Sequence, residues 1–183
     1  MATSSEVAEK QAGRELKRIV YSEEDIQRRV REMAREITDS HEPGEELLVL
    51  GLLKGSFIFM ADLVRNIHHP LQLDFLVASS YGNATESSGD VRLLYDPEAS
   101  LGGRSVILVE DIIDSGNTLN RLIPLLEARG PSSLEVCALL HKRVAKLDRE
   151  VKWVGFDAPL EFLVGYGLDY SENFRHLPFI GSI

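Results

Sequence analysis

Val106-Ile107-Leu108-Val109-Glu110-Asp111-Ile112-Ile113-Asp114-Ser115-Gly116-Asn117-Thr118-Leu119 decides how this chain is read. Four apolar residues open it without alternation, and three are β-branched. Such a run reads as a strand covered on both faces, as in a parallel sheet. Acids and isoleucines follow, then Ser-Gly-Asn-Thr, then an apolar pattern at helical spacing through Leu119, Leu122, Ile123 and Leu126. The order is strand, acidic loop, helix. In an open parallel sheet, ligands sit beyond the carboxyl ends of the strands. Gly116 permits a tight turn. The amides of Ser115 to Thr118 then converge at a helix N-terminus, an anion site that suits a phosphate. Acids repel phosphate, so Glu110, Asp111 and Asp114 call for a divalent cation or for ribose hydroxyls. Magnesium is typically held by one or two carboxylates plus substrate oxygens. An acidic pair elsewhere would read as a solvated loop; the buried strand before and the small-residue turn after argue against that here.

Working outward, the 183 residues are 44% hydrophobic and 27% charged, the balance of a soluble globular domain. One domain over 1–183 is expected, with a frayed tail over 1–13, a core over about 20–150 and a further segment over 151–183. No apolar run approaches the roughly 18 residues of a membrane span, and Met1 to Gly13 lacks an apolar signal core. The single cysteine, Cys137, lies in an apolar run, so an internal disulfide is impossible. A cytoplasmic setting is expected. The net charge of −9 argues against nucleic-acid or anionic-membrane partners.

Ser22 is placed to cap a helix, with Asp25 three residues on and Ile26, Val30, Met33 and Ile37 as its apolar stripe. Leu47 to Leu50 read as a buried strand, followed by the loop Gly51-Leu52-Leu53-Lys54-Gly55-Ser56 and a helix from Phe57. Alone, a lysine in such a loop is a solvated turn. His68-His69-Pro70 reads as an exposed turn rather than a metal site. Leu71 to Val77 alternate as a strand. Ser79-Ser80-Tyr81-Gly82 then opens a small, polar stretch through Asp90, which reads as a loose hairpin tip or a lid. Leu134 to Leu140 make another buried strand that ends in His141-Lys142-Arg143. Trp153, the only tryptophan, is by default a core residue.

The central stretch resembles the phosphoribosyl pyrophosphate-binding signature of the type I phosphoribosyltransferases, and in detail that of their hypoxanthine-guanine branch. Leu53-Lys54-Gly55, Ser79-Ser80-Tyr81-Gly82, Lys142, the segment Pro159 to Tyr170 and Arg175 extend the resemblance from about Ile19 to Ile183. It implies an α/β fold with a mostly parallel central sheet flanked by helices and a small hood over the active site. It implies transfer of a 5-phosphoribosyl group to hypoxanthine or guanine, with magnesium as cofactor, in a homo-oligomer of two or four chains.

The implied roles follow the matching positions. Residues 114–118, from Asp114 through Ser115, Gly116, Asn117 and Thr118, hold the 5′-phosphate. Glu110 and Asp111 hold the ribose hydroxyls and the metal, and Asp114 is the general base. Leu53, Lys54, Gly55, Ser80, Tyr81 and Arg175 face pyrophosphate, with a cis peptide before Lys54 and the Ser80-Tyr81 pair on a closing lid. Lys142 meets the purine's 6-oxygen, Trp153 stacks on its ring, and the Val154 backbone reads its edge. Many members carry, where this chain has Leu160, an acid that helps hold a second magnesium. A non-catalytic RNA-binding regulator shares the acidic signature but requires a basic face. Adenine or xanthine specificity is the alternative within the enzyme class.

Overall fold

In the computed structural model, the structure is described for residues 10–11, 13–80 and 91–183. Its centre is the predicted run. Ser105–Ile113 is a strand, with a second, Leu47–Leu52, on one side and a third, Ser133–Lys142, on the other. In chain order the strands are β1 (Lys10–Gln11), β2 (Arg14–Glu15), β3 (Arg18–Tyr21), β4 (Leu47–Leu52), β5 (Leu71–Ser80), β6 (Val91–Tyr95), β7 (Ser105–Ile113), β8 (Ser133–Lys142), β9 (Trp153–Ala158), β10 (Leu163–Val164) and β11 (Ile180–Ser182). The helices are α1 (Glu23–Asp39), α2 (Phe57–Val64) and α3 (Asn117–Glu127). The main sheet runs β6-β5-β4-β7-β8-β9. Every pairing in it is parallel except that of the edge strand β6 on β5.

Alternation along the strands divides the interior into two layers. Leu47, Val49, Ile107, Val109, Cys137 and Leu139 face Ile26, Val30, Met33 and Ile37 of α1 and Phe59, Met60 and Leu63 of α2. Leu48, Leu50, Val106, Leu108, Val136 and Ala138 face Leu119, Leu122, Ile123 and Leu126 of α3. A strand with both faces covered must be apolar at every position, which is why β4 and the Val106–Val109 part of β7 read as unbroken runs. Each fully buried aliphatic side chain contributes about 1.5–3 kcal/mol. Ser22 caps α1 as expected: its Oγ accepts from the Asp25 amide at 3.1 Å and donates to Asp25 Oδ2 at 2.6 Å.

A small sheet, β10-β11-β3, forms the hood from both ends of the chain. Two boundaries differ from expectation. Trp153–Ala158 completes the main sheet as β9, so the hood begins beyond Ala158 rather than at 151. Part of the expected tail is structured, since β1 pairs antiparallel with β2 across Gly13. Tyr81 and the expected lid through Asp90 lie outside the described residues; Ser80 ends β5, paired with Val91.

Candidate active site

β7 continues through Ile113, because Ile112 and Ile113 pair with Leu140 and His141 of β8. Glu110 and Asp111 therefore stand within the strand, followed by Ile112 and Ile113, rather than in a loop, and only Asp114 opens the turn. Successive strand residues point to opposite faces, and the two acids separate accordingly. Glu110 lines a cavity of about 80 Å³ with Asp114, Ser115, Gly116 and Thr118. Asp111 packs against Gly55, where an added Cβ would lie 1.6 Å from Asp111 Oδ2. A side chain at position 55 would displace the Asp111 carboxylate.

The cavity is the amide cradle. Gly116 caps α3 with φ 87, in the left-handed region, where a residue with a Cβ is strained. An added Cβ there would also meet the Lys146 carbonyl oxygen at 2.4 Å. The turn is pinned from that side: the Lys146 amide donates to the Ser115 carbonyl at 3.1 Å, and Asn120 Nδ2 donates to the Lys146 carbonyl at 2.9 Å. The Asn117 amide donates to Ser115 Oγ at 3.3 Å, and the first turn of α3, with its dipole, faces the cradle.

Burial dominates the electrostatics of the acids. It pushes the Glu110 carboxyl well above the usual range, with Asp111 adding to the effect. Burial also pushes Asp111 up to about 6, against backbone hydrogen bonds from Ile112 and its own amide and the nearby Arg175 charge. Glu110 Oε2 is buried with no hydrogen-bond partner among the described residues. A buried carboxyl oxygen without a partner has room for a hard cation, which would draw it back to the charged form, or for a hydroxyl donor. Among the described residues no three acidic, histidine or cysteine side chains form a preformed metal cage.

A second group gathers on the Asp111 side. The Leu53–Lys54 peptide is cis. Lys54 Nζ donates to Glu172 Oε2 at 3.1 Å. Arg175 donates from Nη1 to the Gly167 carbonyl at 2.8 Å and pairs through Nη2 with Asp169 Oδ1 at 2.7 Å. Its Nε is buried without a partner among the described residues. Leu53, Lys54, Gly55 and Arg175 thus lie together around Glu172 and Asp111. Lys142 closes the other side, its Nζ 2.8 Å from Asp114 Oδ1.

Three expected base-site residues are elsewhere. Trp153 opens β9, opposite Cys137, whereas Lys142 lies opposite Ala158. Five residues of strand separate them, roughly 16 Å at about 3.3 Å each. Trp153 is 4% exposed and packs beside His41 at the other end of the sheet, so its ring is core. The Val154 carbonyl accepts from Arg29 Nη2 at 2.8 Å and serves to fasten α1. Leu160 is 72% exposed, and the acid that interacts with Asp111 is Asp169. Leu160 thus points to solvent, and Asp169 is the acid in place to act with Asp111. The aromatic beyond the carboxyl end of β9 is Phe162, 54% exposed, its ring edge-on to Tyr170 at 5.8 Å. Place along the strand, rather than ring size, is the signal that finds it.

Residues 19–171 match the phosphoribosyl transferase domain. A hypoxanthine-guanine phosphoribosyltransferase of Dictyostelium discoideum is 45% identical over 169 residues, 90% of this chain and 94% of that protein. The chain belongs to the phosphoribosyltransferase family, in its hypoxanthine-guanine branch. A hypoxanthine phosphoribosyltransferase of Salmonella typhimurium is 44% identical over 90% of this chain and 94% of its own. A crystal structure of a hypoxanthine-guanine phosphoribosyltransferase from Bacillus anthracis superposes on this phosphoribosyltransferase with a TM-score of 0.87 at 48% identity, covering 92% of this chain and 99% of that one. No helix among the described residues is long and apolar enough to cross a membrane.

Proposed function

We propose that this phosphoribosyltransferase transfers the 5-phosphoribosyl group of phosphoribosyl pyrophosphate to hypoxanthine and guanine, releasing pyrophosphate and salvaging the base as its nucleotide. The observation that carries the reading is the Lys142–Asp114 pair, 2.8 Å apart, at the mouth of the amide cradle. It sets a donor for the base beside an acceptor for its proton and both beside an anion site.

The cradle amides and the Thr118 hydroxyl hold the 5′-phosphate. Lys142 donates to the purine's 6-oxygen; an ammonium has no acceptor, so a 6-amino group is refused. Phe162 offers its exposed face to the ring, as aromatic side chains do for nucleobases. Asp114 takes the proton released as the ring nitrogen bonds to the sugar carbon. Lys54 and the Arg175 fork stabilise the departing pyrophosphate, together with Ser80 and Tyr81 in the reading from family resemblance. Glu110, whose Oε2 is buried without a partner among the described residues, and Asp111 offer carboxylate oxygens of the kind that suits magnesium. When bound, the ion would neutralise charge on the pyrophosphate and orient it.

Cys137 is a buried free thiol, which supports a cytoplasmic setting. The dimer or tetramer of the proposal is read by light scattering of the purified chain. Activity is tested by presenting the purified chain with phosphoribosyl pyrophosphate, magnesium and each of hypoxanthine, guanine, xanthine, adenine and uracil. Conversion of the first two with stoichiometric pyrophosphate is expected; turnover of adenine or uracil alone refutes the assignment.

A further inference from the structure

We propose that Glu172 is an internal anion that competes with the pyrophosphate group for Lys54 and Arg175, and so sets how tightly that group is held. The proposal rests on the reading of those two cations as pyrophosphate ligands. One carboxylate oxygen, Glu172 Oε2, faces both: it is 3.1 Å from Lys54 Nζ and 3.4 Å from Arg175 Nη2. The residues are 118 positions apart for the first pair, so this is not a local helix contact. The Lys54 hydrogen bond holds the Glu172 carboxyl below its usual range, and the charge facing the cations is negative at neutral pH.

The backbone that presents this side chain is unusual. Tyr170 and Asn173 exchange backbone hydrogen bonds at 3.2 and 3.0 Å around Ser171 and Glu172, whose φ values are 51 and 64. Two consecutive positive φ values make a mirror-image tight turn, where Asn-Gly is strongly favoured. A glutamate at its second central position gains nothing for the turn itself. Asp169 Oδ2 fixes the turn by accepting the Glu172 amide at 2.8 Å. The result is a carboxylate held at a fixed place against the loop Leu53-Lys54-Gly55.

Lys54 and Glu172 are each 65% exposed, so their pair is weak and exchangeable. A multiply charged pyrophosphate with several acceptor oxygens displaces a single carboxylate. As it leaves, Glu172 recaptures both cations and aids release. Arg175 keeps its Gly167 and Asp169 partners throughout, so it does not collapse when Glu172 is removed.

The experiment is titration calorimetry of inorganic pyrophosphate, in excess magnesium, into the full chain and into its Glu172→Gln and Lys54→Ala variants. Glu172→Gln keeps the size of the side chain and removes the charge. It is expected to tighten pyrophosphate binding by about two- to fivefold, the scale of one exposed ion pair, while Lys54→Ala weakens it. Unchanged or weaker binding by Glu172→Gln, with Lys54→Ala still weakening, overturns the competition and leaves the pyrophosphate reading intact. Parent-like binding by Lys54→Ala overturns that reading, and the role of Glu172 with it.

Discussion

Lys142 Nζ lies 2.8 Å from Asp114 Oδ1, joining the carboxyl end of β8 to the turn that follows β7. The lysine side chain is 12% exposed and the aspartate 69%. The cation is therefore pinned by its surroundings, while the carboxylate faces the open site. The pair is a product of strand register: β8 outruns β7 by enough that Lys142, opposite Ala158 on β9, overhangs the cradle.

Lys142→Ala should weaken hypoxanthine binding by about 1.5–3 kcal/mol, the worth of a hydrogen bond to a charged group. Phosphoribosyl pyrophosphate affinity should hold. Equilibrium binding of each ligand to the variant checks both, and parent-like hypoxanthine affinity contradicts the role.

The two aromatics separate stability from recognition. Trp153→Ala opens a core cavity and should cost about 3–5 kcal/mol in denaturant unfolding. Phe162→Ala should leave stability within about 0.5 kcal/mol and weaken base binding by about 1–3 kcal/mol. The reverse pattern would return the stacking role to Trp153.

The sheet was legible because β4 and the central stretches of β7 (Val106–Val109) and β8 (Val136–Leu140) are buried on both faces and so must be continuous apolar runs. The cradle was legible because an anion site needs Gly116 and small residues at a helix start, a local requirement. The base site was misread at Trp153, Val154 and Leu160. Which end of β9 meets the ligand depends on register against β8, and a residue's own type does not report that. The ion pairs of Glu172 with Lys54 and Arg175 were equally hidden, since a turn with positive φ at Ser171 and Glu172 carries none of its usual glycine or asparagine signal.

Leu160→Asp should leave the magnesium concentration for half-maximal rate unchanged, because the side chain at 160 is 72% exposed and away from Asp111. Asp169→Asn, beside Asp111, should shift it. Magnesium titrations of the three proteins decide, and a shift in the Leu160→Asp curve alone would restore position 160 to the metal.

Tyr166 gives an alkaline limb to stability. Its hydroxyl donates to Asp62 Oδ2 at 2.6 Å, and burial first, then that bond, raises its pKa above the ordinary phenol value. An unfolded chain loses this proton near about pH 10, while the folded chain keeps it. Across that window the folded state binds more protons, so stability is full below about pH 10 and falls as pH rises beyond it. Tyr166→Phe should flatten the fall, since Asp62 Oδ2 keeps the Gln27 Nε2 donor at 2.9 Å. Urea midpoints at pH 8 and above test this; parallel curves for both proteins contradict it.

The central claim is that Asp114, set between the cradle and Lys142, takes the purine's proton. Single-turnover rates with hypoxanthine, measured on the parent and on Asp114→Asn beside the phosphoribosyl pyrophosphate affinity of each, test it most directly. The expected result is a rate lower by about 10²–10⁴-fold with affinity for phosphoribosyl pyrophosphate largely kept. A near-parent rate in the Asn variant would contradict the account.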